Sequence, residues 1–185
     1  MQGMNILRQS CRQITDNNEL LVDWSLLEAC NWRCSYCFAD RNEVSKFIPS
    51  LKELKCAADN LAALNKSRYH LYLIGGEITM MPHFVPFIEY LDEVFGDKLE
   101  LMLVSNGYRP WQYFEQLATL TKNKIKISIS IHSEFAKIEH LAGIVEHISD
   151  KAILAFGLIY HLAKKDYVHE IFSYLAEMKK NYRFA

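Results

Sequence analysis

Short apolar runs alternate with longer amphipathic ones five times along this chain of 185 residues, and that alternation restricts the fold more than any other feature. Residues 20–27, 69–74, 99–104, 125–131 and 152–160 are apolar or β-branched stretches of strand length. Between them, apolar positions recur at helical spacing. Ser50 and Glu53 form a capping box heading a helix that aligns Leu51, Leu54, Ala58, Leu61 and Leu64. After Pro82 come Phe84, Phe87, Ile88, Leu91 and Phe95, with Gly96 as the stop. Pro110 opens a third helix carrying Phe114, Leu117 and Leu120. Ser133 heads a fourth with Phe135, Ile138, Leu141, Val145 and Ile148, and Asp166 a fifth with Val168, Ile171, Phe172, Leu175 and Met178. Consecutive strand–helix units imply parallel strands joined by right-handed crossovers, so the expected class is α/β with a parallel sheet. With 50% of residues apolar, the chain supports one core and one domain.

Parallel α/β sheets gather ligands at the carboxyl ends of their strands. The unusual residues of this sequence fall at such ends: a cysteine loop after the first strand, Gly75-Gly76-Glu77 after the second, Ser105-Asn106-Gly107 after the third and His132 after the fourth. The loop reads Cys30-Asn31-Trp32-Arg33-Cys34-Ser35-Tyr36-Cys37, with no fourth cysteine nearby. Four thiolates close the shell of a zinc ion or an ordinary iron–sulfur cluster, whereas three leave one position open. A zinc site completed by one of the seven histidines is the alternative reading. Five cysteines, an odd count, in a chain whose first residues hold no long apolar run argue against a disulfide framework and for a reducing, cytoplasmic setting. No stretch approaches the ~20 apolar residues of a membrane span. A net charge of −1 gives no global footprint for nucleic acid, leaving only a local patch open.

The C-x3-C-x2-C spacing, with aromatic Tyr36 just before the last cysteine, resembles the cluster loop of the radical S-adenosylmethionine (radical SAM) enzymes. The resemblance covers residues 20–185 as the core domain and leaves 1–19 as an N-terminal extension. It implies a partial TIM barrel, of about five (β/α) units here where the family has six, C-terminally truncated or minimal. Residues 181–185 look like the approach to a sixth strand, so the outer edge of the fifth is expected to be unpaired. It further implies a [4Fe–4S] cluster held by Cys30, Cys34 and Cys37, whose open iron binds SAM. Reductive cleavage of SAM would give a 5′-deoxyadenosyl radical that acts on a small molecule or peptide. The electron donor would be a flavodoxin or ferredoxin.

The other assignments are carried over position by position. Tyr36 lies near the SAM adenine, or serves as a loop anchor. Phe38 covers the cluster. Gly75, Gly76 and Glu77 match the family's GGE motif, with glycines permitting close backbone approach and a carboxylate accepting from the SAM amino group. Ile78 stands where the family usually has proline. Ser105 and Asn106 approach the methionyl carboxylate or ribose, or else form an Asn-Gly turn. Ser130, pointing inward with Ser128, and His132 hold the ribose, although His132 could equally cap the next helix or touch substrate. Cys11 and Cys56 are bystanders, and His140, His147, His161 and His169 are solvated. The rival readings are a non-catalytic zinc- or iron–sulfur-binding α/β module serving a partner protein, and a degenerate relative that no longer turns over SAM.

Overall fold

The computed structural model describes residues 18–37 and 47–185. Cys11, Phe38 and nearly all of the 1–19 extension lie outside the described residues. Five strands, β1 (Glu19–Leu27), β2 (Arg68–Gly75), β3 (Leu99–Ser105), β4 (Lys126–His132) and β5 (Ile153–Ile159), form one parallel sheet in the order of the sequence. The helices are α1 (Leu51–Ala62), α2 (Phe84–Phe95), α3 (Trp111–Thr119), α4 (Ile138–Ile148) and α5 (Lys165–Met178). Because the strand order never reverses, right-handed crossovers place every helix on the same face of the sheet. Leu99, Leu101 and Leu103 of β3 and Ile127, Ile129 and Ile131 of β4 are buried under the helices, while the alternate residues are half-exposed on the other face. Ser128 and Ser130 lie on that second face, the inward direction the alternation predicts.

Local chemistry accounts for most boundaries. Ser50 and Glu53 make both bonds of the capping box of α1: Glu53 N donates to Ser50 Oγ at 3.3 Å and Ser50 N donates to Glu53 Oε2 at 2.7 Å. Gly96 ends α2 at φ +52°, the region that favours glycine. The five inward residues expected on α2 are all buried.

Four expectations fail. The α1 helix stops at Ala62, so Leu64 falls beyond it and is 54% exposed. The amides of Phe135 and Ala136 both bond the carbonyl of His132 in a tight turn, delaying α4 to Ile138; Ser133 therefore caps nothing and Phe135 is exposed. Phe172 is 63% exposed although Val168, Ile171, Leu175 and Met178 of the same helix are buried, and Asp166 sits in the first turn of α5 without a capping bond. Lastly, the outer edge of β5 is engaged: Ala185 N donates to Leu154 O at 3.0 Å and Phe156 N donates to Ala185 O at 2.8 Å, the bond pattern of a parallel ladder.

At the amino ends of the strands the half-exposed face carries a charged layer. Arg68 Nη1 donates to Glu100 Oε1 at 2.7 Å, Lys126 Nζ to Glu100 Oε2 at 3.3 Å, and the His70 ring lies between Glu19 (3.0 Å) and Glu100 (3.1 Å). At the carboxyl ends lie the residues singled out by the sequence. No helix among the described residues is long and apolar enough to cross a membrane.

Candidate cofactor site

The cysteine loop is mounted on Gly75, the last residue of β2, and on Gly76, which follows it. Gly76 N donates to Leu27 O at 2.8 Å and Glu77 N to Ala29 O at 2.9 Å, so the chain entering the loop rides directly over Gly75 and Gly76. A Cβ on Gly75 would stand 2.4 Å from Leu27 O, and one on Gly76 would stand 2.2 Å from Ala29 O. The close approach that these glycines permit is thus to the backbone carrying the cysteines.

Glu77 follows with its carboxylate wholly buried, at 0% exposure. Its Oε1 accepts from Thr79 N (3.1 Å), Thr79 Oγ1 (2.5 Å) and Ser105 Oγ (2.9 Å), and its Oε2 from Asn106 N (2.6 Å). Burial pushes the Glu77 carboxyl above its ordinary value, against the hydrogen bonds from Thr79, Asn106 and Ser105. Ile78, standing at the proline position, is fully buried and begins a 3-10 turn, Ile78–Met80, that Glu77 caps. Arg109 braces this turn from the β3–α3 loop by donating to Thr79 O from both Nε (3.2 Å) and Nη2 (2.9 Å).

The loop meets the other strand ends at two places. Near its start, Asn106 Nδ2 donates to Asn31 Oδ1 at 2.9 Å and lies 3.9 Å from Cys30 Sγ. Near its end, His132 Nδ1 stands 3.4 Å from Cys34 Sγ and 3.1 Å from Tyr36 Oη, and Ser35 N donates to Glu134 Oε2 at 2.7 Å. The His132 ring is parallel to Tyr36 and edge-on to Trp32, which itself stacks on Phe135 at 5.0 Å. Burial raises the Cys30 and Cys34 thiols, raises the Tyr36 phenol and lowers His132; the Glu134 charge opposes the shift of His132.

The structure therefore brings together Cys30, Glu77, Ser105 and Asn106 in one group and Cys34, Tyr36 and His132 in another. Cys37 is exposed, and Cys56 is an exposed thiol on α1. Among the described residues no three His, Cys, Asp or Glu side chains converge closely enough to hold a metal ion. The donor set nonetheless suits an iron–sulfur cluster. Three soft thiols share one short loop, and Cys30 Sγ is approached by the amide of Trp32 at 3.4 Å as well as by Asn106, the kind of N–H that tunes cluster thiolates. A buried ring nitrogen without a partner, His161 Nδ1, lies just beyond β5, where the His161 ring packs on Tyr36 at 5.0 Å.

Residues 24–176 match the family model described as the radical SAM superfamily. The chain belongs to that superfamily. Among its relatives is an S-adenosylmethionine-dependent nucleotide dehydratase of Psychrobacter lutiphocae, 29% identical over 128 residues that make up 63% of this chain and 42% of that protein. A GTP 3′,8-cyclase of Haemophilus influenzae is 32% identical over 88 residues, 46% of this chain and 25% of that one. The chain thus spans less than half the length of these curated relatives. The fold is also shared with solved structures. Native anSMEcpe with bound AdoMet superposes with a TM-score of 0.67 at 17% identity, covering 90% of this chain and 50% of that one. BtrN in complex with AdoMet and 2-DOIA gives 0.55 at 18% identity, covering 74% and 56%.

Several residues of the site escaped the sequence reading. Glu134 and Phe135 follow His132 in a turn that resembled the head of a helix. His140, His147 and His161, expected to be solvated, are instead engaged: His140 Nε2 bonds Gly107 O at 2.6 Å, His147 stacks on Trp111 at 3.8 Å, and His161 packs on Tyr36. His169 is exposed, with an edge contact to Tyr160. His140 and His147 lie on α4, whereas Gly107 and Trp111 belong to the β3–α3 segment, so these contacts cross between elements and leave no signal in local spacing.

Proposed function

We propose that this chain is the cofactor-binding core of a radical SAM enzyme, with Cys30, Cys34 and Cys37 as ligands to a [4Fe–4S] cluster. The observation that carries this reading is the seating of the C-x3-C-x2-C loop over the carboxyl ends of a one-sided parallel sheet, within a superfamily match over residues 24–176. When bound, the cluster and SAM would supply an electron and a 5′-deoxyadenosyl radical. The chain's own residues position and shield. The Gly75-Gly76 backbone carries the loop, Tyr36 offers a ring to the adenine, and Ser130 and His132 face the ribose from β4. Glu77, Ser105 and Asn106 hold one another, so their part is exerted on the loop. A flavodoxin or ferredoxin is the proposed reductant. The substrate is proposed to be a nucleotide, as the names of the dehydratase and cyclase relatives suggest.

Anaerobic reconstitution followed by reductive cleavage of SAM, with and without each nucleoside triphosphate, tests the reading. Iron and sulfide in about fourfold ratio to protein and release of 5′-deoxyadenosine are expected. Stoichiometric zinc without sulfide would instead support the non-catalytic module.

A further inference from the structure

We infer that Asn106 is an amide donor to the Cys30 sulfur and that Glu77 is the residue that positions it, so that the carboxylate of the Gly-Gly-Glu turn acts on the cluster loop through Asn106. This inference rests on the cluster reading above and assigns within it a role by positioning rather than by contact.

The orientation of the Asn106 amide is fixed from both sides. Its Oδ1 accepts from Tyr108 N at 3.0 Å, which turns Nδ2 toward Asn31 and Cys30. Its backbone is fixed as well. Asn106 N is gripped by Glu77 Oε2 at 2.6 Å, and Ser105 Oγ donates to Glu77 Oε1 while accepting from Gly107 N at 3.1 Å. Gly107 then turns at φ +75°, tight against the Ile129 side chain, where a Cβ would come within 2.8 Å of Cγ2. The same carboxylate therefore fixes Ser105 at the end of β3 and Asn106 just after it, and the Asn106 side chain reaches the loop. Only a carboxylate fits this post. Both oxygens must accept and neither is offered an acceptor, so an amide would turn an N–H toward one of the four donors. The bonds to Glu77 come from Thr79, Ser105 and Asn106, and with 0% of it exposed the carboxylate is held where it grips the Asn106 amide.

A donor to a ligating thiolate favours the reduced, more negative state of a cluster. Loss of the Asn106 amide should thus lower the midpoint potential of the reconstituted cluster, and it should also loosen the loop in the metal-free protein. The variants are Asn106→Ala, Asn106→Asp, Glu77→Gln and the double Glu77→Gln/Asn106→Ala, with Cys56→Ala as control. Asn106→Asp retains the acceptor for Tyr108 and guards against a simple folding defect. Amide exchange over residues 30–32 of the metal-free protein should quicken roughly tenfold in both Asn106 variants, the equivalent of about one hydrogen bond. Redox titration should give more negative potentials for Asn106→Ala and, to a lesser degree, Glu77→Gln. The double variant should equal Asn106→Ala alone, since the two residues act in series. Unchanged exchange and potential in Asn106→Ala would overturn the inference, and additivity in the double variant would remove Glu77 from it. If the parent protein assembles no iron and sulfide at all, the cluster reading fails, and exchange alone then decides the Glu77–Asn106 linkage.

Discussion

Two glutamates at opposite ends of the same sheet show how differently one carboxylate can be accommodated. Glu77, at the carboxyl ends of the strands, is fully buried and meets only neutral donors. Glu100, at the amino ends, keeps 25% of its side chain exposed and faces Arg68, His70 and Lys126. Partial burial would raise Glu100, but the Arg68 and Lys126 hydrogen bonds and the charges of His70 and Lys126 hold it down at about 2. At Glu77 the balance reverses: four hydrogen bonds do not offset complete burial, and the carboxyl is raised. The amino end is built from charge, which tolerates small displacements. The carboxyl end is built from close backbone contact and exact donor counts, which do not.

The largest effect should follow from breaking that contact. Gly76→Ala places a Cβ 2.2 Å from Ala29 O and 2.4 Å from Glu28 O, neither of which belongs to a flexible side chain. The expected loss, read by urea denaturation of the metal-free protein, is more than about 4 kcal/mol. Next comes Glu77→Ala, which strands four buried donors and should cost about 3 kcal/mol in the same assay. At the other end, His70→Ala removes a buried ring bonded to two carboxylates, and about 2 kcal/mol is expected. Arg68→Ala should stay within about 1 kcal/mol, because the guanidinium is half in solvent. A larger loss for His70→Ala than for Glu77→Ala would invert the comparison.

Acidity separates the two ends by sign. Glu100 is depressed in the folded protein, so its contribution is complete above the unfolded value near ~4.3 and is lost as pH falls from there toward about 2. Glu77 is raised, so the folded state holds its proton more tightly than the unfolded state, and its contribution declines as pH climbs past ~4.3. Stability curves should therefore show Glu100→Gln with a flatter acid limb and Glu77→Gln without the decline above ~4.3. The same slopes in both variants would mean that the two carboxyls are not opposed.

The architecture was largely legible in the sequence because it is carried by periodicity. The capping box at Ser50, the five inward residues of α2 and the alternation through β3 and β4 depend on nearest neighbours along the chain. Where the reading failed, composition and periodicity did not reveal a turn or the limit of the packed face. Phe172 continues the apolar stripe of α5, yet it is exposed while Val168, Ile171, Leu175 and Met178 are buried. Ser133 has the composition of a cap, but the carbonyl of His132 takes the amides that a helix start would have left free. That the unusual residues gather at the strand ends was legible, whereas the use of the glycines was not. A glycine pair signals close approach without saying to what, and here the partner is the segment 27–29 at the end of the adjacent strand β1: Leu27 against Gly75, and Glu28 and Ala29 against Gly76.

The two attachments of the cysteine loop have an entropic consequence. Ordering a residue costs ~1–2 kcal/mol of backbone freedom. Between residues 30 and 37 that cost is met largely when the sheet forms, since Asn31 is tied to Asn106 just after β3, Tyr36 to His132 at the end of β4 and Ser35 to Glu134 just after it. Cys37 is the exposed one of the three thiols, its amide held by the Cys34 carbonyl at 3.1 Å. Whatever this loop takes up meets a binding segment already deprived of most of its freedom, so affinity is gained by what uptake no longer has to organise.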